Sequence, residues 1–185
     1  MSLPTLKGSL ITLRQLRKSD ASSLQRHAND RQVARNLLLL PHPYTIENAL
    51  VWIRFTHSLV RKGRSYPFGI EDNQSGEIVG MIDLVAINDF HKIAELGYWL
   101  GRRYWRRGYT SEAVQLILRF GFRQLRLRRI YAHTFDRNQA SYALLKKAGF
   151  IYEGTERKSR RKGNRWLDLH LLSILREEFK IRKPK

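Results

Sequence analysis

Four arginines surround one glycine in the segment RRYWRRGYT, residues 102–110, and a helix-like run of apolar residues follows at once. The first amides of a helix point outward without backbone partners, and the helix dipole adds partial positive charge to them. Gly108 can adopt backbone angles that a side chain would oppose, and Thr110 and Ser111 add hydroxyl donors. The pattern predicts an anion site, and we expect the anion to be the pyrophosphate of a coenzyme.

Two common phosphate-binding motifs, GxxxxGK[ST] and GxGxxG, do not occur in this segment. On the segment alone, a helix start that carries solvated arginines explains the pattern equally well. Between residues 96 and 152, however, only Glu112 and Asp136 are acidic, against twelve lysines and arginines. The basic excess is therefore strong where the phosphates would lie.

The elements that must position this loop follow from the spacing of apolar residues. Alternation predicts strands, helical spacing with cap and turn residues predicts helices, and Ser19-Asp20 offers an N-cap for the first helix. The predicted order is a strand at 9–16, helices at 21–29 and 45–63, strands at 66–72, 77–88 and 93–101, a helix at 110–123, a strand at 128–135, a helix at 139–149, and a hairpin of strands 150–159 and 165–175. Consecutive strands with short turns indicate antiparallel pairing. We expect a mixed α/β fold, with a mainly antiparallel sheet flanked by helices.

Length and composition limit the classes of protein that remain. A chain of 185 residues with 42% apolar residues predicts a single folded domain over residues 1–185. The chain has no cysteine, which excludes disulfides and thiolate metal sites. The first residues lack the layout of a signal peptide, and the longest aliphatic run, at 37–40, is too short to cross a bilayer. We therefore expect a cytoplasmic protein with no membrane partner and no metal site.

The net charge is the unusual quantity. Thirty-five lysines and arginines against sixteen acidic residues give +19, which favours anionic partners such as RNA, ribosomes or a phosphorylated cofactor. A solubility adaptation is the alternative. The segment RKSRRKGNR, residues 157–165, carries six cations. We interpret it as a solvated hairpin tip, with a contact to RNA or the ribosome as the sharper alternative.

The segment YWLGRRYWRRGYTSEA, residues 98–113, closely resembles the acetyl-CoA loop of the GCN5-related N-acetyltransferase (GNAT) superfamily, whose usual pattern is [QR]xxGx[GA]. Within that superfamily it looks like the Rim-type branch of ribosomal-protein-alanine N-acetyltransferases. The segments HPYTIENALVWI and NQASYALLKKAGF and the C-terminal hairpin also resemble that branch, so the likeness covers nearly the whole chain. The resemblance implies a GNAT fold and acetyl-CoA as the co-substrate.

The resemblance also implies roles for individual residues. The strand at 93–101 would splay from its neighbour and leave a slot for pantetheine, which would pair with main-chain groups of Trp99 and Leu100. Asn138 would bind the same arm, and Ser141 would help to protonate the departing sulfur. The pyrophosphate would be held by the amides of Arg106, Arg107, Gly108, Tyr109, Thr110 and Ser111.

Two positions depart from the family pattern. Arg106 replaces a glycine that is common in the branch, and it can still donate its amide if its backbone angles are unstrained. The tyrosine with which many relatives protonate the thiolate aligns with Leu145, so that role does not transfer.

Two carboxylates are candidates for the base that takes the proton of the amine. Glu95 alternates with Gly97 and Trp99 and would point into the cleft, where it could act through water. Asp83 is a lone carboxylate in an apolar strand. A structural carboxylate paired with an arginine is the alternative for each, and we favour Glu95 as the catalytic base.

The resemblance predicts that the chain transfers an acetyl group to a protein N-terminal α-amine, by direct attack in a ternary complex. An α-amine has a pKa near 7.8 and a lysine near 10.4, so the neutral fraction differs by roughly 400-fold at pH 7 and a weak base suffices. The alternatives are a small amine, such as a polyamine or amino sugar, and an inactive RNA- or ribosome-binding module. The chain would act as a monomer or homodimer.

Overall fold

In the computed structural model, residues 3–180 are described, and over this range the chain forms one eight-stranded sheet with helices on both faces. The strands are β1 (Leu6–Lys7), β2 (Ile11–Arg14), β3 (Tyr66–Asp72), β4 (Ile78–Asn88), β5 (Ile93–Leu100), β6 (Arg129–Phe135), β7 (Ile151–Lys162) and β8 (Arg165–Leu175). The helices are α1 (Ala21–Ala28), α2 (Arg31–Arg35), α3 (Ile46–Arg61), α4 (Tyr109–Arg123) and α5 (Gln139–Ala148).

The sheet has the order β1-β2-β3-β4-β5-β6-β8-β7. Every neighbouring pair is antiparallel except β5 and β6, which run parallel. The predicted mixed α/β class with a mainly antiparallel sheet is confirmed. The one parallel pair arises because α4 crosses over between β5 and β6, so both strands run in the same direction.

The two faces of the sheet carry different cores. On one face, the apolar side of α4 packs with Leu145 of α5 against alternate residues of β4, β5 and β6, including Leu84, Leu96 and Ile130. On the other face, α1 and α3 pack against Met81, and Trp99 contacts the same cluster. The period-two alternation of β5 therefore sends its even-numbered side chains toward α4 and its odd-numbered ones toward the α1 and α3 side.

Two N-caps show how far local signals reach. Thr45 and Asn48 form a reciprocal capping box at the start of α3, since Asn48 N donates to Thr45 Oγ1 at 3.2 Å and Thr45 N donates to Asn48 Oδ1 at 2.9 Å. The predicted Asp20 cap is wrong in its details. Asp20 occupies the N-cap position of α1 without a capping hydrogen bond, because its carboxylate accepts instead from the Arg14 guanidinium and from Arg17 N.

The β7–β8 hairpin is docked onto α2. Lys162 Nζ donates to the carbonyl oxygens of Ala34, at 2.5 Å, and Leu37, where it satisfies the C-terminal end of α2. Leu38 packs against a small cluster formed by Phe135, Leu167 and Leu169. The hairpin is thus not solvated throughout, since Lys162 holds its tip against the α2–α3 segment.

Candidate active site

A gap opens between β5 and β6. The two strands pair only at Ile93–Glu95 and Arg129–Tyr131 among the described residues. Beyond that point β5 continues to Leu100 beside β4, and β6 continues to Phe135 beside β8. Backbone groups that face the gap in this part of β5 have no neighbouring strand, so the splayed pair forms a slot that can accept an extended ligand.

The hydrogen-bond alternation of β5 decides which main-chain groups face this slot. Gly101 N donates to Val79 O at 2.7 Å, so Leu100 and Gly80 form a non-hydrogen-bonded pair and the polar backbone groups of Leu100 point away from β4. The Trp105 indole nitrogen donates to Leu100 O at 2.7 Å, which leaves the amide of Leu100 directed at the slot. The same parity directs the backbone of Tyr98 into the slot.

The expectation for Trp99 is therefore corrected. Trp99 lies opposite Met81, and its carbonyl oxygen points at β4, where a Cβ on Gly80 would collide with it. Its main-chain groups are used within the sheet and do not face the slot. Which residues of β5 bond to β4 and which face the slot depends on the register of β4 against β5, and the sequence does not reveal that register.

The basic loop leads to α4 through two residues in the left-handed backbone region. Gly108 is the N-cap with φ +85°, a conformation that glycine adopts readily. Arg106 has φ +60°, so the condition of unstrained angles at Arg106 is not met. The amides of residues 108–111 precede the first intrahelical bond, which Glu112 N makes to Gly108 O. Arg102, Arg103, Arg106 and Arg107 are all exposed around these amides.

Glu112 fixes the direction of α4. Its carboxylate accepts from Ser9 N at 2.7 Å, Leu10 N at 2.8 Å and Ile11 N at 3.0 Å, and also from the Ser9 hydroxyl. Burial opposes ionisation of Glu112, but these hydrogen bonds together outweigh it and lower its pKa. A Cβ on Gly8 would lie 2.6 Å from the carboxyl carbon, so glycine is required for this close approach.

Hydroxyl groups line the face of the slot nearest α4 and α5. Tyr98 Oη and Ser141 Oγ are 2.8 Å apart, so they bridge β5 and the first turn of α5. Asn138 caps α5, since its Oδ1 accepts from Ser141 N at 3.3 Å, while its Nδ2 makes no hydrogen bond to any residue in the range 3–180. Burial raises the pKa of Tyr98 to about 12. Tyr98 has no role in the prediction from sequence, although its position three residues after Glu95 on a strand predicts that it faces away from Glu95.

Carboxylates line the opposite face of the slot. Asp83 lies across from Gly97 on β5, and a Cβ on Gly97 would come to 2.5 Å from Asp83 Oδ1. Burial, followed by the nearby charge of Glu95, raises the pKa of Asp83 to about 7. Asp83 retains partial solvent exposure. A carboxylate that titrates near neutral pH is suited to accept and release a proton.

Glu95 is held by a histidine. His133 Nδ1 donates to Glu95 Oε1 at 2.7 Å, and His133 Nε2 lies 3.4 Å from Glu156 Oε1. The hydrogen bond to Glu95 raises the pKa of His133 against the opposing effect of burial, and the nearby Glu156 acts in the same direction as Glu95. His133 has no catalytic or metal-binding role in the prediction from sequence. Its partnership with Glu95 depends on the β5–β6 register, which pairs Glu95 with Tyr131.

The slot therefore has two chemically distinct faces. Helix amides, arginines and hydroxyls lie on the α4 and α5 side, where they can bind an anion and stabilise a departing anionic group. Three carboxylates and a histidine lie on the other side, where they can bind a cationic amine and take its proton. In the described part of the chain, no three or more histidine or acidic side chains, these four included, are arranged so that they could hold a metal ion. None of the helices described there is both long and apolar enough to cross a membrane.

Comparison with known proteins agrees with this arrangement. Residues 11–151 match the acetyltransferase (GNAT) domain family, and the chain belongs to that family. It is 30% identical over 177 residues to an uncharacterized N-acetyltransferase, p20, of Bacillus licheniformis, covering 96% of this chain and 99% of the relative. It is therefore an acetyl-CoA-dependent N-acetyltransferase, as the resemblance implied.

Two further similarities concern proteins with named acceptors. A spermidine N(1)-acetyltransferase of Escherichia coli is 26% identical over 144 residues, which is 78% of this chain and 74% of the relative. The solved structure of a ribosomal-protein-S5-alanine acetyltransferase from Vibrio fischeri superposes with a TM-score of 0.84 at 23% identity, covering 96% of this chain and 99% of the other. The second likeness establishes the GNAT fold.

Proposed function

We propose that the protein acetylates the α-amino group of a protein N-terminus, with acetyl-CoA and the amine bound together on opposite faces of the slot. The observation that carries this proposal is the two-faced slot between β5 and β6, with helix amides on one side and Asp83 on the other. Direct attack needs both reactants held at once in one orientation, and a slot open to both faces supplies that arrangement.

On the first face, the pyrophosphate is held by the amides of residues 107–111 and by the surrounding arginines, whereas the Arg106 amide, whose backbone is in the left-handed region, is left out. The thioester arm lies in the slot, where the Leu100 amide is available to the carbonyl oxygen and Asn138 Nδ2 to the pantetheine. The Leu100 amide then stabilises the oxyanion that forms when the amine attacks. Ser141 donates a hydrogen bond to the sulfur as the C–S bond breaks.

On the second face, Asp83 is the base in this proposal. Glu95, the base favoured from the sequence, instead helps to raise the pKa of Asp83 through its negative charge. Glu95 is engaged with His133, whereas Asp83 has a pKa of about 7 and partial exposure. Transfer of a proton from an α-ammonium group of pKa near 7.8 to such a carboxylate is uphill by only about one unit, whereas transfer from a lysine-type ammonium is uphill by about three. The pKa of Asp83 therefore favours an α-amine as acceptor.

Release of the thiol from acetyl-CoA tests the proposed function. Neutral peptides with free Ala or Ser N-termini should be acetylated, and the same peptides with blocked N-termini and one internal lysine should react at least about 100-fold more slowly. Mass spectrometry of the products locates the acetyl group. Faster reaction of the blocked lysine peptides would contradict the α-amine assignment.

A polyamine is the second candidate acceptor, because Asp83, Glu95 and Glu156 give an acidic face to a chain whose net charge is +19. A polycation that the whole surface repels can still be attracted at that face. The similarity to a spermidine acetyltransferase supports the same candidate. A kcat/KM for spermidine above that of every neutral peptide would select it over the α-amine.

Contact with ribosomal RNA is a separate proposal about where the enzyme works. Arg157, Lys158, Arg160, Arg161 and Arg165 of the hairpin are exposed, and within residues 3–180 their side chains form no salt bridge. Trp166 beside them is 59% exposed and could stack on a base. Binding to ribosomes that weakens steeply with salt, and that is lost when these five cations are replaced, is the expected result.

A further inference from the structure

Tyr98 is a partly buried tyrosine of β5 whose hydroxyl contacts Ser141, and the proposed reaction leaves it unused. It follows Glu95 by three residues on β5, where the pairing with β6 has already ended. Its even parity places it with Leu96 and Leu100 on the α4 and α5 side, away from Asp83. Its partner, Ser141, is the residue that faces the departing sulfur in the proposed function.

A serine hydroxyl has a single proton, so the direction of the Tyr98–Ser141 hydrogen bond decides what Ser141 can do. If Ser141 donates to Tyr98 Oη, it has no proton left to offer to the sulfur. If Tyr98 donates to Ser141 Oγ, the Ser141 proton is free to point into the slot. The 2.8 Å distance places the two hydroxyls in direct contact, so the protein's own groups can set the direction of the Ser141 proton.

Proton affinities limit the role that Tyr98 can take. Its phenol, with a pKa of about 12, is a much weaker acid than a thiol of ordinary pKa near 8.5, so full transfer of its proton to a departing thiolate is unfavourable by a factor of about a thousand or more. The phenol therefore stays protonated. It can donate a hydrogen bond through the whole reaction without being consumed as an acid.

We propose that Tyr98 is a positioning residue for acetyl transfer: its hydroxyl donates to Ser141 Oγ and thereby turns the Ser141 hydroxyl toward the departing sulfur. This inference rests on the proposed function, because it needs the thiolate to leave beside Ser141. When the C–S bond breaks, its electron pair goes to the sulfur, which accepts the hydrogen bond from Ser141, and the thiolate is later protonated by solvent. Asn138 fixes the backbone of Ser141, and Tyr98 fixes its side chain.

A double-mutant cycle of Tyr98→Phe and Ser141→Ala tests the proposal, with acetyl-CoA and the acceptor that the wild type uses fastest. Ser141→Ala should lower kcat about 100-fold, since it removes a donor to developing negative charge. Tyr98→Phe keeps the ring packing and should lower kcat about tenfold, with the KM for acetyl-CoA within about twofold of wild type. In the Ser141→Ala background, Tyr98→Phe should have no further effect on kcat.

Tyr152→Phe is the matched control, because Tyr152 Oη lies 2.7 Å from Thr155 Oγ1 in β7 and away from the slot. Like Tyr98→Phe, Tyr152→Phe removes one hydrogen bond between a tyrosine hydroxyl and another hydroxyl, and it should leave kcat unchanged. Thermal unfolding of each variant separates loss of packing from loss of rate.

The outcomes distinguish failure of the positioning role of Tyr98 from failure of the proposed function. An unchanged kcat in Tyr98→Phe, or the same tenfold drop with and without Ser141, overturns the positioning role and leaves the proposed function standing. A wild-type kcat in Ser141→Ala overturns the role of Ser141 and that of Tyr98 together. Absence of turnover in the wild type with every amine contradicts the proposed acceptor class and the inference with it.

Discussion

The two faces of β5 differ in chemistry. On the α4 and α5 face, Tyr98 and Leu100 accompany neutral hydroxyls, helix amides and arginines. On the α1 and α3 face, Glu95 and Gly97 accompany Asp83 and a histidine whose pKa is raised. In the proposed function, residues that are neighbours in sequence thus meet an anionic co-substrate on one side and a cationic amine on the other.

A single strand can in this way contact both reactants of a transfer reaction. Successive side chains of β5 point to opposite faces of the sheet. Alternate residues of β5 do not bond to β4, so their backbone amides face the slot. A change on one face should therefore alter the step that this face serves and spare the other.

Asp83→Asn should give the largest effect. Loss of the base is expected to lower kcat about 100-fold or more at pH 7.5. A base must be ionised to act, so wild-type kcat should fall about tenfold per unit as the pH drops below about 7, the pKa of Asp83. The variant should lose this dependence, and a pH series of kcat checks it.

Glu95→Gln is the comparison for Asp83→Asn. Removing its charge should shift the acid limb of the pH profile downward, because Glu95 raises the pKa of Asp83 after burial does. If Glu95→Gln abolishes the acid limb and Asp83→Asn does not, then Glu95 is the base.

Gly97→Ala should lower kcat about 30-fold, because its new Cβ would meet Asp83 Oδ1 at 2.5 Å and displace the carboxylate. The affinity for CoA should stay within about twofold. Gly154→Ala is the matched control, since nothing lies within 4 Å of a Cβ there and its backbone angles are ordinary. Equal losses in both variants would show that the effect is not specific to the acceptor face.

Gly108→Ala acts on the other face and should weaken CoA binding about tenfold. The φ of +85° is costly for alanine by about 1–2 kcal/mol, and relaxation would turn the helix amides away from the pyrophosphate. Gly76→Ala introduces similar strain, at φ +72°, in the β3–β4 turn, with open space for its Cβ. Calorimetry with CoA should find wild-type affinity in Gly76→Ala. Equally weakened CoA binding in Gly76→Ala and Gly108→Ala would contradict the amide site.

Glu112→Gln should give the smallest effect on activity and a loss of about 1 kcal/mol in the free energy of unfolding, through weaker hydrogen bonds to residues 9–11. The pKa of Glu112 is lowered by folding, so its stabilisation is complete above its unfolded value of about 4.3 and is lost as the pH falls through the folded value. Urea unfolding at pH 7 and pH 3 should show a difference from wild type that shrinks at the lower pH. A difference that grows on acidification would be inconsistent with this sign.

Local patterns were sufficient for the helices and strands whose signals lie within the segment. The helix predicted over residues 45–63 and the alternation of Glu95, Gly97 and Trp99 are both present in the structure. Strand β1 and helix α2 are short, with only two and five residues, and their periodic signal is too brief to detect.

Long-range pairing accounts for what the sequence did not reveal. The carboxylate of Asp20 bonds to Arg14 instead of capping α1, and His133 bonds to Glu95, because the fold brings these partners together. The Tyr98–Ser141 contact spans 43 residues. The raised pKa of Asp83 depends on burial and on Glu95, neither of which is visible in the strand itself. Residue types indicated the chemistry, whereas the register determined which residues meet.

A crystal structure with bound acetyl-CoA tests the two-faced slot most directly. If acetyl-CoA binds as proposed, its pyrophosphate will lie on the amides that precede Glu112, its thioester between β5 and β6, and its sulfur beside Ser141. Open space toward Asp83 will remain for the amine. A thioester that reaches the site from the side of Asp83 and His133, or a pyrophosphate bound away from the start of α4, would contradict it.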